Sequence, residues 1–269
     1  MGILYVVGTP IGNLEDITYR AVRILKEVDF ICAEDTRVSI KLLNHLNIKK
    51  QLISYHDHST RKITDSIIER IVCGENCAVI TDAGMPCISD PGEELVKLAH
   101  KNNITIQVIP GASAVISALA ISGQDTALFS FEGFLSTSKK QRIDHLLNAS
   151  TKPNTLIFYE APHKLLRTLQ DLLEFLGDRS ISVCHELTKI HESVLLTTIS
   201  EAINYYEKNT IKGEFVLVVE GKKEEKQPQI TLDEAKLLVE ELIQDGAKRT
   251  EACKIIAEKT GFHKAELYK

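Results

Sequence analysis

The chain has no tryptophan, no CxxC pair among its six cysteines and no excess of positive charge. It also lacks the roughly 20 continuous apolar residues that a membrane-spanning helix requires. Each absence excludes something. Without an apolar stretch no membrane span is expected, and Met1 leads into a strand without a charged leader and cleavage site, so the protein is read as cytoplasmic. A net charge of −5 excludes a generally basic nucleic-acid coat, and any RNA or DNA partner must be held by a local patch. The cysteines, at 32, 73, 77, 87, 184 and 253, are expected to be reduced and partly buried. Cys73 and Cys77 have a CxxxC spacing that could seed a metal site with His56 and His58, but no second pair completes it, and no metal is expected.

What remains is an ordinary soluble composition, 43% apolar and 26% charged, in 269 residues, enough for two packed domains. Apolar, β-branched runs recur at 3–7, 30–33, 51–55, 78–81 and 105–109, with amphipathic helical stretches between them. The first half therefore reads as alternating strands and helices, a largely parallel sheet in an N-terminal α/β domain over 1–120. Ser122-Gly123 closes a helix, and a second series of runs, at 128–131, 155–159, 180–184 and 214–220, predicts a smaller α/β domain over 121–221. Its clearest helix, 165–175, is ended by Gly177. The segment 222–230, containing "KKEEKQPQ", has the composition of a solvated linker, and 231–269 predicts a module of two or three short helices. The tail from 222 carries ten basic and ten acidic residues; it suits a helix-turn-helix-like module or a dimerisation or packing appendage equally.

In open α/β sheets ligands bind outside the carboxyl ends of the strands. The residues just after the first five runs are unusually chemical: Gly8-Thr9-Pro10, Glu34-Asp35-Thr36-Arg37, His56-Asp57-His58, Asp82-Ala83-Gly84 and Pro110-Gly111-Ala112-Ser113. The first of these is not a dinucleotide loop. Only Gly8 and Gly12 of a GxGxxG pattern are present, Pro10 removes a backbone donor, and no GxxxxGK loop occurs anywhere. Asp82 near the same edge repels a phosphate but attracts a cation, whereas the small residues Pro110 to Ala114 at a helix start suit a ligand carboxylate. Asp90, Pro91 and Glu93 are expected to start a helix as N-cap, N1 and N3. A nucleoside with a cationic centre, an amino group and a carboxylate describes S-adenosylmethionine.

The segments "GTPIGNLEDITYRA", "AEDTR", "DAGMPCISDPG", "PGASAVISAL", "FEGFL", "YEAPHKL", "ELTK" and "GEFVLVV" resemble, in order and spacing, the ribosomal small subunit methyltransferase I family, a branch of the tetrapyrrole methylase superfamily. The match runs from about residue 2 to 221. The sequence departs from the family pattern at Ser59 and Thr60, where Asn and Glu are usual, and at Met85 and Ser136, where Thr and Pro are usual. None of these changes removes a charged group from the cofactor loops. The resemblance implies two α/β domains with S-adenosylmethionine in the cleft between them, a homodimer, and 2′-O-methylation of a cytidine in RNA of the small ribosomal subunit, free or assembled. It carries over, as cofactor-binding residues, Gly8, Thr9, Pro10, Asp82, Ala83, Gly84, Pro110, Gly111, Ala112, Ser113, Ala114, Tyr159, Leu187, Thr188, Gly213 and Glu214. The wider superfamily implies as an alternative a small-molecule acceptor such as a tetrapyrrole, and a module that senses the cofactor without chemistry is a third reading.

A ribose hydroxyl is a poor nucleophile until its proton is taken, so the cleft must offer a base. Asp35 is the first candidate, with Arg37 positioning it or holding an RNA phosphate; the pair could equally brace a helix start. Glu186 and Lys189 form a second candidate pair, the lysine steadying a developing alkoxide. His56 is a candidate for proton transfer or RNA contact. Lys139, Lys140 and Arg142 form a local basic patch suited to phosphate.

Overall fold

The apolar runs of the first half form five parallel strands, β1 (Ile3–Val7), β2 (Phe30–Ala33), β3 (Gln51–Ser54), β4 (Cys77–Ile80) and β5 (Thr105–Ile109), in the order β3-β2-β4-β1-β5. Four helices connect them: α1 (Tyr19–Glu27), α2 (Thr36–His45), α3 (Arg61–Val72) and α4 (Glu93–Lys101). Successive strand residues face opposite sides. Phe30, Cys32, Cys77 and Val79 pack with Ile67, Ile71 and Leu95 of α3 and α4, whereas Ile31, Ala33, Ala78 and Ile80 pack with Ala21, Leu25 and Leu43 of α1 and α2. A sheet covered on both faces needs apolar residues at every strand position, which is why β2 and β4, buried throughout, read as continuous runs. The computed structural model describes residues 1–56, 59–223 and 231–268.

A fifth helix, α5 (Ala114–Ile121), leads into a second sheet of β6 (Phe129–Phe134), β7 (Thr155–Glu160), β8 (Ser180–His185), β9 (Ser193–Thr198) and β10 (Phe215–Val219), in the order β6-β7-β10-β8-β9. Only β6 and β7 run parallel; the pairs β7–β10, β10–β8 and β8–β9 are antiparallel. One face is covered by α6 (Lys139–Thr151), α7 (Leu165–Leu176) and α8 (Ile199–Tyr206). The other face meets Val115, Ala118 and Leu119 of α5.

Two features of this sheet depart from expectation. The edge strand β9, "SVLLTT", is absent from the predicted series because it has no fully buried residue and so no continuous apolar signal. The predicted strand at 128–131 continues to Phe134 through a bulge between Phe131 and Gly133, where Gly133 takes φ +66°. That conformation suits glycine.

The contacts divide the chain into two compact units, Met1–Lys222 and Lys223–Lys269. The second unit holds α9 (Leu232–Gln244), α10 (Arg249–Thr260) and α11 (Lys264–Tyr268). It has its own core of Ala235, Val239, Ala252, Cys253, Ile256 and Leu267. Thr231 and Glu234 form a reciprocal capping box at its start, and Gly261 ends α10 in the left-handed conformation. Of the expected linker 222–230, only Lys222 and Lys223 fall within the described residues. Among the described residues no helix is long and apolar enough to cross a membrane.

Candidate active site

The loop after β1 is built for close contact between backbones. Gly8 N–H donates to Ile109 O at 3.0 Å. A Cβ on Gly8 would stand 2.8 Å from Gly111 Cα, and one on Gly111 would stand 2.9 Å from Gly8 C, so the two glycines let the β1 and β5 loops touch. Thr9 is 1% exposed and exchanges backbone hydrogen bonds with Gly84, at 2.9 and 3.2 Å. Its hydroxyl donates to Thr81 O at 3.1 Å, and Pro10 is buried. Gly8, Thr9 and Pro10 thus lock the loops that follow β1, β4 and β5 into one floor.

Above this floor lies a cavity of about 610 Å³, of the size that takes a drug-sized ligand. Ala83, Gly84, Ser113 and Ala114 line it from the first sheet's side; Tyr159, Leu187 and Glu214 line it from the second. All seven are among the expected cofactor residues. Ser113 is the N-cap of α5 and makes no side-chain cap bond. Tyr159 accepts a backbone hydrogen bond from Val115, and burial pushes its hydroxyl up to about 12 despite that bond. Its ring meets Phe131 edge-on at 4.9 Å. Of the other expected cofactor residues, Pro110 is exposed and Ala112 partly buried beside Gly84.

The segment from Met85 to Asp90 also lines the cavity through Ile88, Ser89 and Asp90, which sequence reasoning assigned no ligand role. Here the capping expectation is corrected: α4 begins at Glu93 with Gly92, not Asp90, as N-cap, and Glu93 instead pairs with Lys97 at 2.5 Å. The reason lies in the turn itself. Cys87 (φ 71°), Ser89 (φ 62°) and Gly92 (φ 129°) take positive φ, which carries Asp90 away from the helix end. Left-handed non-glycine residues cost of order 1–3 kcal/mol each and collect at functional loops.

Asp35 caps α2, accepting from Arg37 N–H at 2.8 Å, and its carboxylate takes a second bond from Arg37 Nη2 at 2.6 Å. Hydrogen bonds from the Arg37 side chain and backbone hold the Asp35 carboxyl at about 2. The Arg37 side chain is 88% exposed, so one face of its guanidinium is open to a further anion. Asp35 N–H donates to Asp82 Oδ1 at 3.2 Å, which ties this helix start to the cavity loop at Ala83. Burial, with the nearby charges of Glu34 and Asp35, pushes the Asp82 carboxyl up against that stabilising bond.

On the second sheet Lys189 Nζ bridges Glu186 at 2.8 Å and Glu214 at 2.7 Å. Its hydrogen bond, foremost among the causes, holds the Glu186 carboxyl below its ordinary value. Burial works against the Lys189 ammonium, but the two carboxylates outweigh it. The turn is tightly wound: Glu186 has φ 51° and Thr188 φ 65°. A Cβ on Gly213 would collide with the Glu186 carboxylate, and one on Gly12 would meet Lys189, Leu187 and Thr188 within 2.9 Å. Gly12 of the first loop therefore rests directly on the 187–189 turn.

The expected phosphate patch divides. His56, Lys139 and Lys140 are exposed, but Arg142 is 5% exposed, with Nε on Asp171 at 2.5 Å and Nη2 on Thr168 at 2.8 Å. Arg142 is corrected from an RNA contact to a strut between α6 and α7, because its position faces the helix pair rather than solvent. Arg142→Ala strands the Asp171 carboxylate and is expected to destabilise the fold by about 3 kcal/mol. An unchanged urea midpoint would contradict this. Cys73 is exposed while Cys77 is buried with its Sγ 3.5 Å from Cys32 Sγ, so the CxxxC pair does not converge. Among the described residues no group of three metal ligands gathers, and Asp57 and His58 lie outside them.

Residues 3–203 match the family model described as Tetrapyrrole (Corrin/Porphyrin) Methylases. Solved structures share the fold at low identity: a diphthine synthase (TM-score 0.63, 13% identical, 83% of this chain and 91% of that one) and the uroporphyrin-III-C-methyltransferase of Thermus thermophilus (TM-score 0.56, 19% identical, 82% and 94%). Two proteins named ribosomal RNA small subunit methyltransferase I are far nearer. That of Halalkalibacterium halodurans is 47% identical over 99% of this chain and 93% of its own length, and that of Thermotoga maritima 45% identical over 82% of this chain and all of its own. With identity at this level over nearly the whole chain, on the fold those structures share, the protein belongs to the ribosomal RNA small subunit methyltransferase I family of the tetrapyrrole methylases.

Proposed function

We propose that the protein transfers the methyl group of S-adenosylmethionine to the ribose 2′-hydroxyl of a cytidine in small-subunit ribosomal RNA, in the cytoplasm and as a homodimer. The observation that carries this reading is the near full-length identity to relatives of that name, on a chain in which seven of the expected cofactor residues line one cavity. The domain limits that follow are 1–120 and 121–221, with the helices of 231–269 outside the chemistry.

The residues present fit such a cofactor. Among the described residues Thr188 Oγ1 is buried without a hydrogen-bond partner, and the small residues Ala83, Gly84 and Ala114 leave backbone open to a ligand. The start of α5 at Ser113 and Ala114 would take the carboxylate. Asp82 would balance the cationic centre, while Tyr159, Leu187 and Glu214 close the far wall, with Thr188 and Gly213 next to them in sequence. When bound, the cofactor supplies an electrophilic methyl group whose departure leaves a neutral thioether.

The chain's own residues do the rest. The floor of Gly8, Thr9, Pro10, Pro110, Gly111 and Ala112 fixes where the acceptor can approach, and alignment with exclusion of water supplies most of the rate. Asp35 takes the hydroxyl proton. Held at about 2 by Arg37 it is a weak base, and an RNA phosphate on the open face of Arg37 competes for that guanidinium and restores its basicity. Lys189, fixed by Glu186 and Glu214, would steady the developing alkoxide. His56, Lys139 and Lys140 are offered to RNA.

The homodimer rests on α5, which is apolar all round. Its inner face is covered by the second sheet, while Ile116 and Ile121 are 53% and 45% exposed, next in sequence to edge strand β5 with Val108 59% exposed. A helix apolar on every side is one buried on every side.

Calorimetry with S-adenosylmethionine, combined with radiolabelled methyl transfer to isolated small subunits, naked ribosomal RNA and a tetrapyrrole, tests the reading. Transfer to subunits or RNA is expected. Tight cofactor binding with transfer only to the tetrapyrrole, or to nothing, would overturn it.

A further inference from the structure

Residues 36–56 contain no aspartate or glutamate, yet carry Arg37, Lys41, Lys49 and Lys50 with His45 and His56. In a chain of net charge −5 this is a local excess of four positive charges over 21 residues. The fold gathers it on one border. The segment is α2 and β3, and β3 is the outer strand of its sheet, at the end opposite β5.

On α2 the buried residues are Ser39 and Leu43. At 3.6 residues per turn Arg37, Lys41 and His45 fall on the opposite, outward face, each about 5–6 Å from the next. All three are exposed, as is Lys49 beyond the helix, and Lys50 is half-buried. The row starts at the cavity: Arg37 is bound to Asp35, whose N–H is bound to Asp82, beside the lining residue Ala83. Because α2 runs back antiparallel to its strands, the row leads away from the cavity mouth for about 15 Å, ten residues at 1.5 Å each. Asn44 and Asn47 lie along it, both exposed, as hydrogen-bond donors without charge.

We infer that the outward face of α2 and the turn at Lys49 and Lys50 form the track on which the RNA backbone lies as it leaves the cavity. The ligand chemistry is a row of phosphates: cations at helical intervals, carboxylate-free for 21 residues, ending at a guanidinium with an open face. This inference rests on the proposed RNA substrate and assigns it a surface, in place of the patch that loses Arg142 to the α6–α7 strut.

The test is Lys41→Glu, Lys49→Glu and Lys50→Glu combined in the full chain, set against Lys139→Glu with Lys140→Glu. None of the three track lysines belongs to the proposed methyl-transfer machinery. Methyl transfer to naked small-subunit RNA and to assembled subunits is measured, with RNA affinity over a salt series and S-adenosylmethionine affinity by calorimetry. The track variant is expected to raise KM for RNA by tenfold or more, with kcat and cofactor affinity held within about twofold. Its salt slope should be shallower by about 2, three lost contacts at ~0.7 each for single-stranded RNA. A wild type that binds the cofactor but neither binds nor methylates RNA would overturn the substrate reading and the track with it. A wild type active on RNA beside a track variant of unchanged KM and slope would overturn the track alone. So would a defect confined to assembled subunits, which would mean a protein partner, or a variant that self-associates with undiminished RNA affinity, which would make the lysines edge-strand protection.

Discussion

Replacing Asp35 by asparagine is expected to lower kcat by roughly 10²- to 10⁴-fold, the worth of a positioned base, while S-adenosylmethionine affinity stays within a few-fold. Asparagine is as good an N-cap as aspartate, so the bond to Arg37 N–H and the start of α2 survive. A residue that merely braces the helix would tolerate the change, and unaltered turnover in Asp35→Asn would remove it from the chemistry. The pH dependence has a definite sign. The carboxyl is held at about 2, below its ordinary value, so it is ionised, and able to accept a proton, everywhere above that pH. The acid limb of kcat/KM due to Asp35, which reports the free enzyme, therefore lies near 2, whereas the limb in kcat moves up toward 4 once a phosphate draws Arg37 away. Arg37→Ala should shift the kcat/KM limb upward to the same region. The stabilisation given by the pair follows the same rule: it is complete above the unfolded value near 4 and lost as pH falls through about 2. An acid limb that does not move in Arg37→Ala would show that the pair does not govern the proton.

Gly8→Ala is the second change with a large expected effect. Its Cβ lands 2.8 Å from Gly111 Cα and N and 2.7 Å from Met85 Sδ. The methionine can swing aside, but the Gly111 backbone is held by the strand pairing of Val7 with Ile109, so the loops must part. Overpacking of this kind costs about 1–3 kcal/mol. Because the displaced loop leads into Ala112, Ser113 and Ala114, cofactor affinity should fall by at least tenfold, which is about 1.4 kcal/mol. Gly111→Ala should do the same. The two are predicted to be strongly non-additive, since loops already parted by one methyl group have room for the other. Additive losses in S-adenosylmethionine affinity, measured by calorimetry on both singles and the double, would contradict a shared contact. Gly74→Ala provides a contrast, since among the described residues no contact lies within 4 Å of its Cβ position; its positive φ strains the backbone but leaves the floor intact.

How much of this is legible in the sequence depends on the range of the interaction. The ten-strand pattern is nearly complete because buried strands announce themselves by local composition, Phe30 to Ala33 and Phe215 to Val219 being buried at every position. β9 escapes because neither of its faces is fully buried. The helix-ending glycines at 123 and 177 are read correctly because a positive φ after a helix is a local demand. Gly8 is readable as special but not for its reason: it signals a ligand in sequence, and in space it makes room for Gly111, about a hundred residues away. Arg142 reads as one of three neighbouring cations because its neighbours in sequence are exposed. Only the approach of α7 turns it inward onto Asp171.

By itself, then, the sequence determined the class of the fold and the loops that carry polar residues at one sheet edge, because periodicity and turn chemistry act over a few residues. Tertiary structure alone decided which of those polar residues are free. It bound Asp35 to Arg37, wound the Cys87 to Gly92 turn so that Asp90 joins the cavity wall, spent Arg142 on a helix pair, and set Arg37, Lys41 and His45 in a row at the sheet border. The physical reason is that charge and burial depend on distances between segments far apart along the chain, which only the packed fold fixes.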